Sequence, residues 1–406
     1  MTVYMGIDWS QEKHDVSILN EKGASILDLT IKNGEEGYRQ LNEKRKQFGV
    51  AASECIVGIE SAHTLLIDYL WSEGYTQIYV LPPGVIAANR GRNRQSGAKN
   101  DRYDSRVIGE TLRTDLHKFY PWHPGSETLQ AMRVRVKQAE FWTKESTRLA
   151  NRLQAVLLRY YPAALAVFPS WPTPLVCHFV IAYPTPAAAK GLSLADFKAF
   201  AKSHRYPKPR SLPACYERLC AAYPPAQAGL VTAYASEALP LAKALLASLQ
   251  NEKENLRQLQ KLFLQHTDAH IFAALPGAGE WLAPALLVKF GEDRKRFPAP
   301  EPLQSLAGTC PVTNQSGKKR TIHFRRSCDH AFRHITQQWA RCAVAQSDWA
   351  AAYFDELSKR GLAPTHAYRA LANRLLAITW KLWQDNLLFD DAVLLQSRLK
   401  RRKPRT

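Results

Sequence analysis

The sequence predicts an α/β domain with a mixed sheet at the amino end, a long-helix coiled-coil middle, and a mainly α C-terminal domain. Three observations carry this expectation. Short apolar runs rich in β-formers alternate with helical runs over residues 2–83; residues 127–160 hold neither Gly nor Pro; and helical spacing dominates beyond residue 270. A chain of 406 residues is too long for one core, so two or three domains are expected.

"TVYMGID" reads as a strand ending at Asp8, and "HDVSILNEKGASILDLTI" as two strands joined by a turn at Glu21-Lys22-Gly23. "GEEGYRQLNEKRKQF" has helical spacing. "ECIVGIES" is a short apolar strand, "AHTLLIDYLWSEG" a helix closed by Gly74, and "QIYVLPP" a strand stopped by prolines. An antiparallel opening followed by strand–helix–strand units gives the mixed sheet, assigned to 1–125.

The middle region, 126–265, opens with one long helix over 127–160, and a second covers about 235–265. There Leu245, Leu249, Leu256, Leu259 and Phe263 recur at steps of three and four, with Glu252 as the polar interruption. That is coiled-coil spacing, which a helix in an ordinary bundle also satisfies. The insert 161–232 is rich in Pro and aromatic residues, with patchy helices such as "SLADFKAFAKSH". Trp142, Tyr160, Tyr161 and Trp171 suit either a core or a stacking platform for unpaired bases. Residues 266–395 form the last domain, opened by "HIFAALPGAGEWLAPALLVKFGEDRKRF". Its helix–LPGAG–helix pattern is like a helix-hairpin-helix, whose turn can offer backbone N–H groups to a phosphate. The sequence reads as loop-like at Gly308–Pro311 and at Ser316–Gly317, as mostly helical to about 390, and as a basic tail over 396–406.

Lys and Arg number 55 against 36 Asp and Glu, a formal charge of +19. The cations are clustered: Arg90, Arg92, Arg94, Lys99, Arg102 and Arg106 in one segment, Lys318, Lys319, Arg320, Arg325 and Arg326 in another. Such blocks suit phosphate neutralisation and point to nucleic acid. Neither a lipidation motif nor an apolar run of membrane-spanning length is evident, and "MTVYMGIDWS" lacks an export signal, so the expected setting is intracellular. Seven cysteines show no CxxC pair; reduced, mostly buried thiols without structural zinc are expected.

"GAKNDRYDSRVI" sets Asp101 and Asp104 three residues apart at the start of a helix. Acids there can simply balance the helix dipole, or they can share a divalent cation from one helix face. The second reading needs further acids. Asp8 and Glu60 each end a strand, and neighbouring strands place their ends on one sheet edge. A D…E…D-x-x-D set in this order is what an RNase H-like fold uses to hold two Mg²⁺ ions for phosphodiester displacement. "MGIDWS" also suits the opening strand of the actin-like ATPase and sugar-kinase fold, but Trp9-Ser10-Gln11 replaces the Gly or Thr expected there.

Two motif blocks in order then extend the pattern: "GIDWSQEKHDVSI", "VGIESAHTLLIDYLWSEGY", "VLPP" and "KNDRYDSR" first, "LPGAGEWLAPALLVKFGEDRKRF" and "LQSLAGTCPVTNQSG" later. On these the chain resembles the DEDD transposases of bacterial insertion sequences that include the Piv-type DNA invertases. The resemblance covers roughly the first 125 residues and 270–340. It implies a RuvC-like first domain with Asp8, Glu60, Asp101 and Asp104 as Mg²⁺ ligands. It also implies a last domain whose Ser-Gly serine, here Ser316, attacks DNA to leave a covalent protein–DNA intermediate. Some family members are guided by a structured noncoding RNA pairing with donor and target DNA. By resemblance the protein works in the bacterial cytoplasm, at the nucleoid, as a homo-oligomer (dimer or tetramer) with composite active sites and no membrane role.

Ser305 and Ser327 are neighbouring alternatives to Ser316. Departures from the family pattern are Asn100 for Thr, Ser105 for Ala, and Cys328-Asp329 where relatives tend to show Gly-Asn before a helix. Two other function classes fit the residues. One is a RuvC-type metal nuclease acting on branched DNA by water attack; the other is a basic nucleic-acid-binding protein without catalysis.

Overall fold

Strict alternation sorts the side chains of the amino-terminal strands onto two faces, and both faces are covered by helices. The computed structural model describes residues 2–62, 64–93, 101–317 and 319–402. It divides into two compact units, 1–124 and 125–406.

In the first unit, strands β1 (Val3–Trp9), β2 (Lys13–Leu19), β3 (Ser25–Lys32), β4 (Cys55–Ile59) and β5 (Gln77–Val80) form one sheet in the order β3-β2-β1-β4-β5. The first three pair antiparallel, while β4 runs parallel to β1 and β5 parallel to β4. Helices α1 (Glu35–Gln47) and α2 (Leu65–Ser72) bring Tyr38, Leu41, Leu66 and Leu70 into one core with Val57 and Ile78. The alternate residues Ile56 and Tyr79 face a second core with Ile86 of α3 (Pro83–Asn93) and Val107, Ile108 and Leu112 of α4 (Asp101–Asp115).

Helix α4 lies against β1 at backbone distance. A Cβ on Gly6 would stand 1.9 Å from the Ser105 carbonyl oxygen and 2.5 Å from the Gly109 nitrogen. Only glycine permits that approach. A buried hydrogen bond of 2.9 Å between Ser17 and Ser105 ties the same helix to β2.

In the second unit, α5 (Glu127–Tyr160) is capped by Ser126, whose hydroxyl accepts from the Leu129 N–H. Five short helices follow: α6 (Pro162–Ala166), α7 (Pro174–Ala182), α8 (Pro186–Ala189), α9 (Leu194–Ser203) and α10 (Leu212–Leu219). The long α11 (Ala228–Gln265) runs back antiparallel along α5, with Asn255 bonded to the Arg135 carbonyl, Ser248 to Ser146 and Glu237 to Arg152. It begins earlier than the apolar spacing suggests and runs through Pro240, a residue without an N–H to give its helix. The seam is partly polar: Glu252 accepts from Thr143 and Ser146, and Asn255 is buried in place of Leu256.

Next come α12 (Ala269–Ala273), α13 (Gly279–Phe290), α14 (Pro300–Leu306), β6 (Val312–Ser316), β7 (Lys319–His323), α15 (His330–Val344), α16 (Asp348–Lys359), α17 (Pro364–Asp385) and α18 (Asp391–Arg402). The base of the α5–α11 pair shares one core with these helices, through Leu129, Met132, Leu259 and Phe263. The far end of the pair shares another with the insert. Tyr160, Tyr161 and Trp171 belong to that second core, whereas Trp142 stands edge-on to the exposed Phe141.

Several sequence expectations change here. The expected basic tail is helical as far as Arg402 in α18. Loop-like Ser316 is the last residue of a strand in an antiparallel hairpin. The LPGAG turn is a packing device: Gly277 nests against the backbone of Cys342 and Ala343, and its N–H is taken by the Gln346 side chain. Of the thiols, Cys55, Cys177 and Cys215 are buried, Cys220 is exposed and the other three are half-buried, so fewer are buried than the sequence predicts. An 18-residue window of α11, at mean hydropathy 1.2, is apolar enough to cross a membrane by length and composition. Only 17% of that window is buried, Ala238, Ala242 and Leu245 of the helix lying in the core shared with the insert.

Candidate active site

Strand register brings the first two acids together. Ile7 of β1 lies opposite Ile59 of the parallel β4, so Asp8 and Glu60 follow at neighbouring strand ends. Asp104 arrives from α4, held close by the Gly6 contact, and is only 2% exposed. These three carboxylates line one cleft of about 420 Å³, with α3 supplying Pro83, Ile86 and Ala87 as its apolar wall.

Two residues not singled out from the sequence complete the cleft. Asp15 sits opposite Asp8 on β2, lines the same space and accepts a hydrogen bond from Thr30. A signal for it exists in the chain, because a tight hairpin after Trp9 pairs Asp8 with Asp15 by simple counting. Lys13 adds a cation to the wall.

By sequence alone Arg90 groups with the phosphate-binding cations. In the structure its guanidinium grips Asp104 through both oxygens, Nε to Oδ1 at 2.7 Å and Nη2 to Oδ2 at 2.6 Å. That bidentate, charge-assisted geometry is among the stronger side-chain interactions. The candidate metal ligands lining the cleft are carboxylates, whose oxygens suit a hard divalent cation such as Mg²⁺. Among the described residues, however, no three acidic, His or Cys side chains stand together within chelating reach, and Asp104 is occupied by Arg90.

For Arg92 and Asp101 only the backbone is described; Asp101 is the first residue of α4. Arg94, Lys99 and Lys318 lie outside the described residues. Arg102 is exposed on the first turn of α4.

In the second unit, Ser316 ends β6 opposite Lys319, with Gly317 (φ 56°) in the left-handed conformation that the turn requires. Among the described residues the hairpin strands are exposed apart from the half-buried Thr321, with Ile322 at 66%. Among the described residues the Ser316 hydroxyl has no hydrogen-bond partner. Lys319 and Arg320 are exposed beside it, Arg326 is exposed beyond the base of the hairpin, and Arg325 reaches toward the Cys310 carbonyl. At the hairpin base, Phe324 is held between Arg333 and Arg369, whose guanidinium carbons stand 4.4 Å and 4.7 Å from its ring centre. Ser305 is instead paired with the Cys310 sulfur at 3.3 Å. Asp329 starts α15 as its cap, accepting from the Phe332 N–H while holding Lys289 at 2.7 Å, so Cys328-Asp329 supplies what an Asn cap would. Burial pushes the Asp329 carboxyl up, but Lys289 and the backbone N–H groups outweigh it and hold the group below the usual carboxylate range.

Comparison with known proteins follows the same two blocks. Residues 5–162 match the family model DEDD_Tnp_IS110, a transposase, and residues 269–355 match that of the transposase IS116/IS110/IS902 family. The "Mini-circle putative transposase for IS117" of Streptomyces coelicolor is 30% identical over 412 residues, covering 98% of each chain. The insertion element IS110 43.6 kDa protein of the same species is 25% identical, covering 96% of this chain and 95% of its own. The insertion element IS900 42 kDa protein of Mycobacterium paratuberculosis is 22% identical, covering 96% and 98%. With the two family models in this order and a relative matched almost end to end, the chain belongs to the IS116/IS110/IS902 family of insertion-sequence transposases.

Proposed function

We propose that this protein cuts and rejoins the DNA of an insertion sequence, guided by a structured noncoding RNA that pairs with donor and target. The reading gives the amino-terminal unit a RuvC-like, RNase H-like fold in which Asp8, Glu60, Asp101 and Asp104 hold two Mg²⁺ ions. The observation that supports it most is the convergence of Asp8, Glu60 and Asp104 on one cleft, reached from two strand ends and a helix. Bound there, Mg²⁺ would neutralise phosphodiester charge and favour ionisation of an attacking hydroxyl. The chain's own part is to orient the carboxylates and bind the strand. Arg92, Arg94, Lys99 and Arg102 serve the amino-terminal unit, and Lys318, Lys319, Arg320, Arg325 and Arg326 serve the hairpin.

In the same reading Ser316 Oγ forms a phosphodiester with one DNA strand. The displaced oxygen leaves as a hydroxyl carrying the proton that the serine gives up, so bond energy is kept for rejoining. The protein acts as a dimer or tetramer with active sites shared between copies, in the bacterial cytoplasm at the nucleoid.

One observation favours a second reading, a RuvC-type nuclease using water on branched DNA: no neighbouring base touches the Ser316 hydroxyl among the described residues. Incubation with element DNA, its flanking noncoding RNA and Mg²⁺, followed by denaturing capture of covalent adducts, separates the two. The first reading expects an adduct that disappears in Ser316→Ala and persists in Ser305→Ala and Ser327→Ala. Cleavage without any adduct, unchanged in Ser316→Ala, would establish the second. Full activity in Asp104→Asn would remove the metal assignment from both.

A further inference from the structure

The insert carries a charged feature unrelated to either motif block. Over residues 190–210 stand Lys190, Lys198, Lys202, Arg205, Lys208 and Arg210, against the single acid Asp196. That acid is already committed, closing a capping box with Ser193 at the start of α9. Lys198 and Lys202, four residues apart, share one face of α9, and Arg205, just past the end of that helix, and Arg210 line the same cleft of about 690 Å³. All four are exposed, and their side chains make no ion pair or hydrogen bond among the described residues.

Like charges this close repel weakly, and a bound anion relieves that repulsion. Arg205 follows the C-terminus of α9 at φ 56°, in the left-handed conformation that glycine more often takes there. Below the cationic rim, Tyr206, Pro209 and Leu212 make an apolar floor. The floor is firm: Tyr206 packs on Phe168 and bonds Ser211, and Leu212 is buried in the insert's core.

We propose that this cleft binds an unpaired stretch of nucleic acid, with phosphates on the four cations and a base against the apolar floor. The cleft is open at its rim, with room for a nucleotide to lie across it. A duplex or a membrane surface would meet the rim and leave the floor empty, whereas a single strand can turn its base inward. This rests on the reading that the protein handles nucleic acid, and it gives the insert a role of its own.

The test compares binding of labelled single-stranded RNA, single-stranded DNA of the same sequence, and blunt duplex DNA to the full chain over a range of salt. One variant carries Lys202→Gln, Arg205→Gln and Arg210→Gln; a second is Arg205→Gly, which removes a cation while suiting the backbone. The triple variant should bind at least one single strand about tenfold more weakly, its log-affinity salt slope falling by about 2, near 0.7 for each phosphate no longer neutralised. Arg205→Gly should lose about threefold without loss of thermal stability, and duplex binding should stay within about twofold in both variants. Loss on RNA alone assigns the site to RNA; equal loss on both single strands assigns it to phosphate and base without regard to the ribose. Single-strand affinities unchanged in both variants, or duplex binding weakened equally, would overturn the proposal. A wild-type chain that binds none of the three probes would overturn the broader reading with it.

Discussion

Arg90 on α3 holds Asp104 on α4 by two parallel hydrogen bonds, a pairing between residues fourteen apart that spans a stretch rich in further cations. The carboxylate is 3% exposed and the guanidinium 37%. The arginine thus occupies the acid that the proposed metal site needs.

Replacing Arg90 with Gln should therefore leave a buried carboxylate without its counter-charge. A loss of about 1–3 kcal/mol is expected, below the cost for a fully buried pair because the guanidinium is partly in water. Millimolar Mg²⁺ should then raise the melting temperature of Arg90→Gln more than that of the wild type, since an ion can replace the missing charge. Equal Mg²⁺ responses in thermal melts would mean that Asp104 is not a metal ligand.

The glycine contacts under α4 give a graded prediction. Gly6→Ala drives a methyl into the Ser105 carbonyl and the Gly109 nitrogen, backbone atoms that cannot turn aside. Gly58→Ala meets only side-chain methyl groups of Ile108 and Leu112, at 2.5 Å and 2.8 Å. The first should cost about 3 kcal/mol or more and the second about 1–2. Denaturant melts of the two variants check the order; a Gly58→Ala chain less stable than Gly6→Ala would show that α4 is not seated as described.

His14 supplies a pH dependence. It is fully buried on β2, its Nε2 against Asn33 Oδ1 at 3.2 Å and its ring stacked on Tyr38 at 5.9 Å, while Nδ1 has no hydrogen-bond partner among the described residues. Burial holds its pKa below the ordinary 6.5, outweighing smaller upward pulls from Asn33 and Asp15. Above that value both folded and unfolded chains carry a neutral ring, and the fold keeps its full stability. As pH falls below it the unfolded chain binds a proton that the folded chain resists, so stability is lost toward the folded pKa. Thermal melts between about pH 7 and 5 should fall less steeply in His14→Gln, by at most about 1.4 kcal/mol per pH unit. Identical slopes would place the titration elsewhere.

The sequence by itself determined the local structure and the positions of the acids along it. Glu127–Tyr160 reads as one helix because nothing in it breaks the ladder, and Asp8 and Glu60 read as strand ends because β-formers stop there. Periods of two and 3.6 residues are local quantities, so a linear chain displays them. The hairpin at Ser316 is legible only as a turn, since its strands are polar and exposed and leave no alternating pattern. What only the tertiary structure decided is which groups meet. Asp104 joins Asp8 and Glu60 because α4 is seated on β1, Arg90 takes Asp104 because α3 and α4 lie side by side, and the LPGAG turn packs because α15 comes back against it. Such meetings depend on sheet order and helix crossing, which are set by the burial of distant surfaces against each other and leave no trace in neighbouring residues.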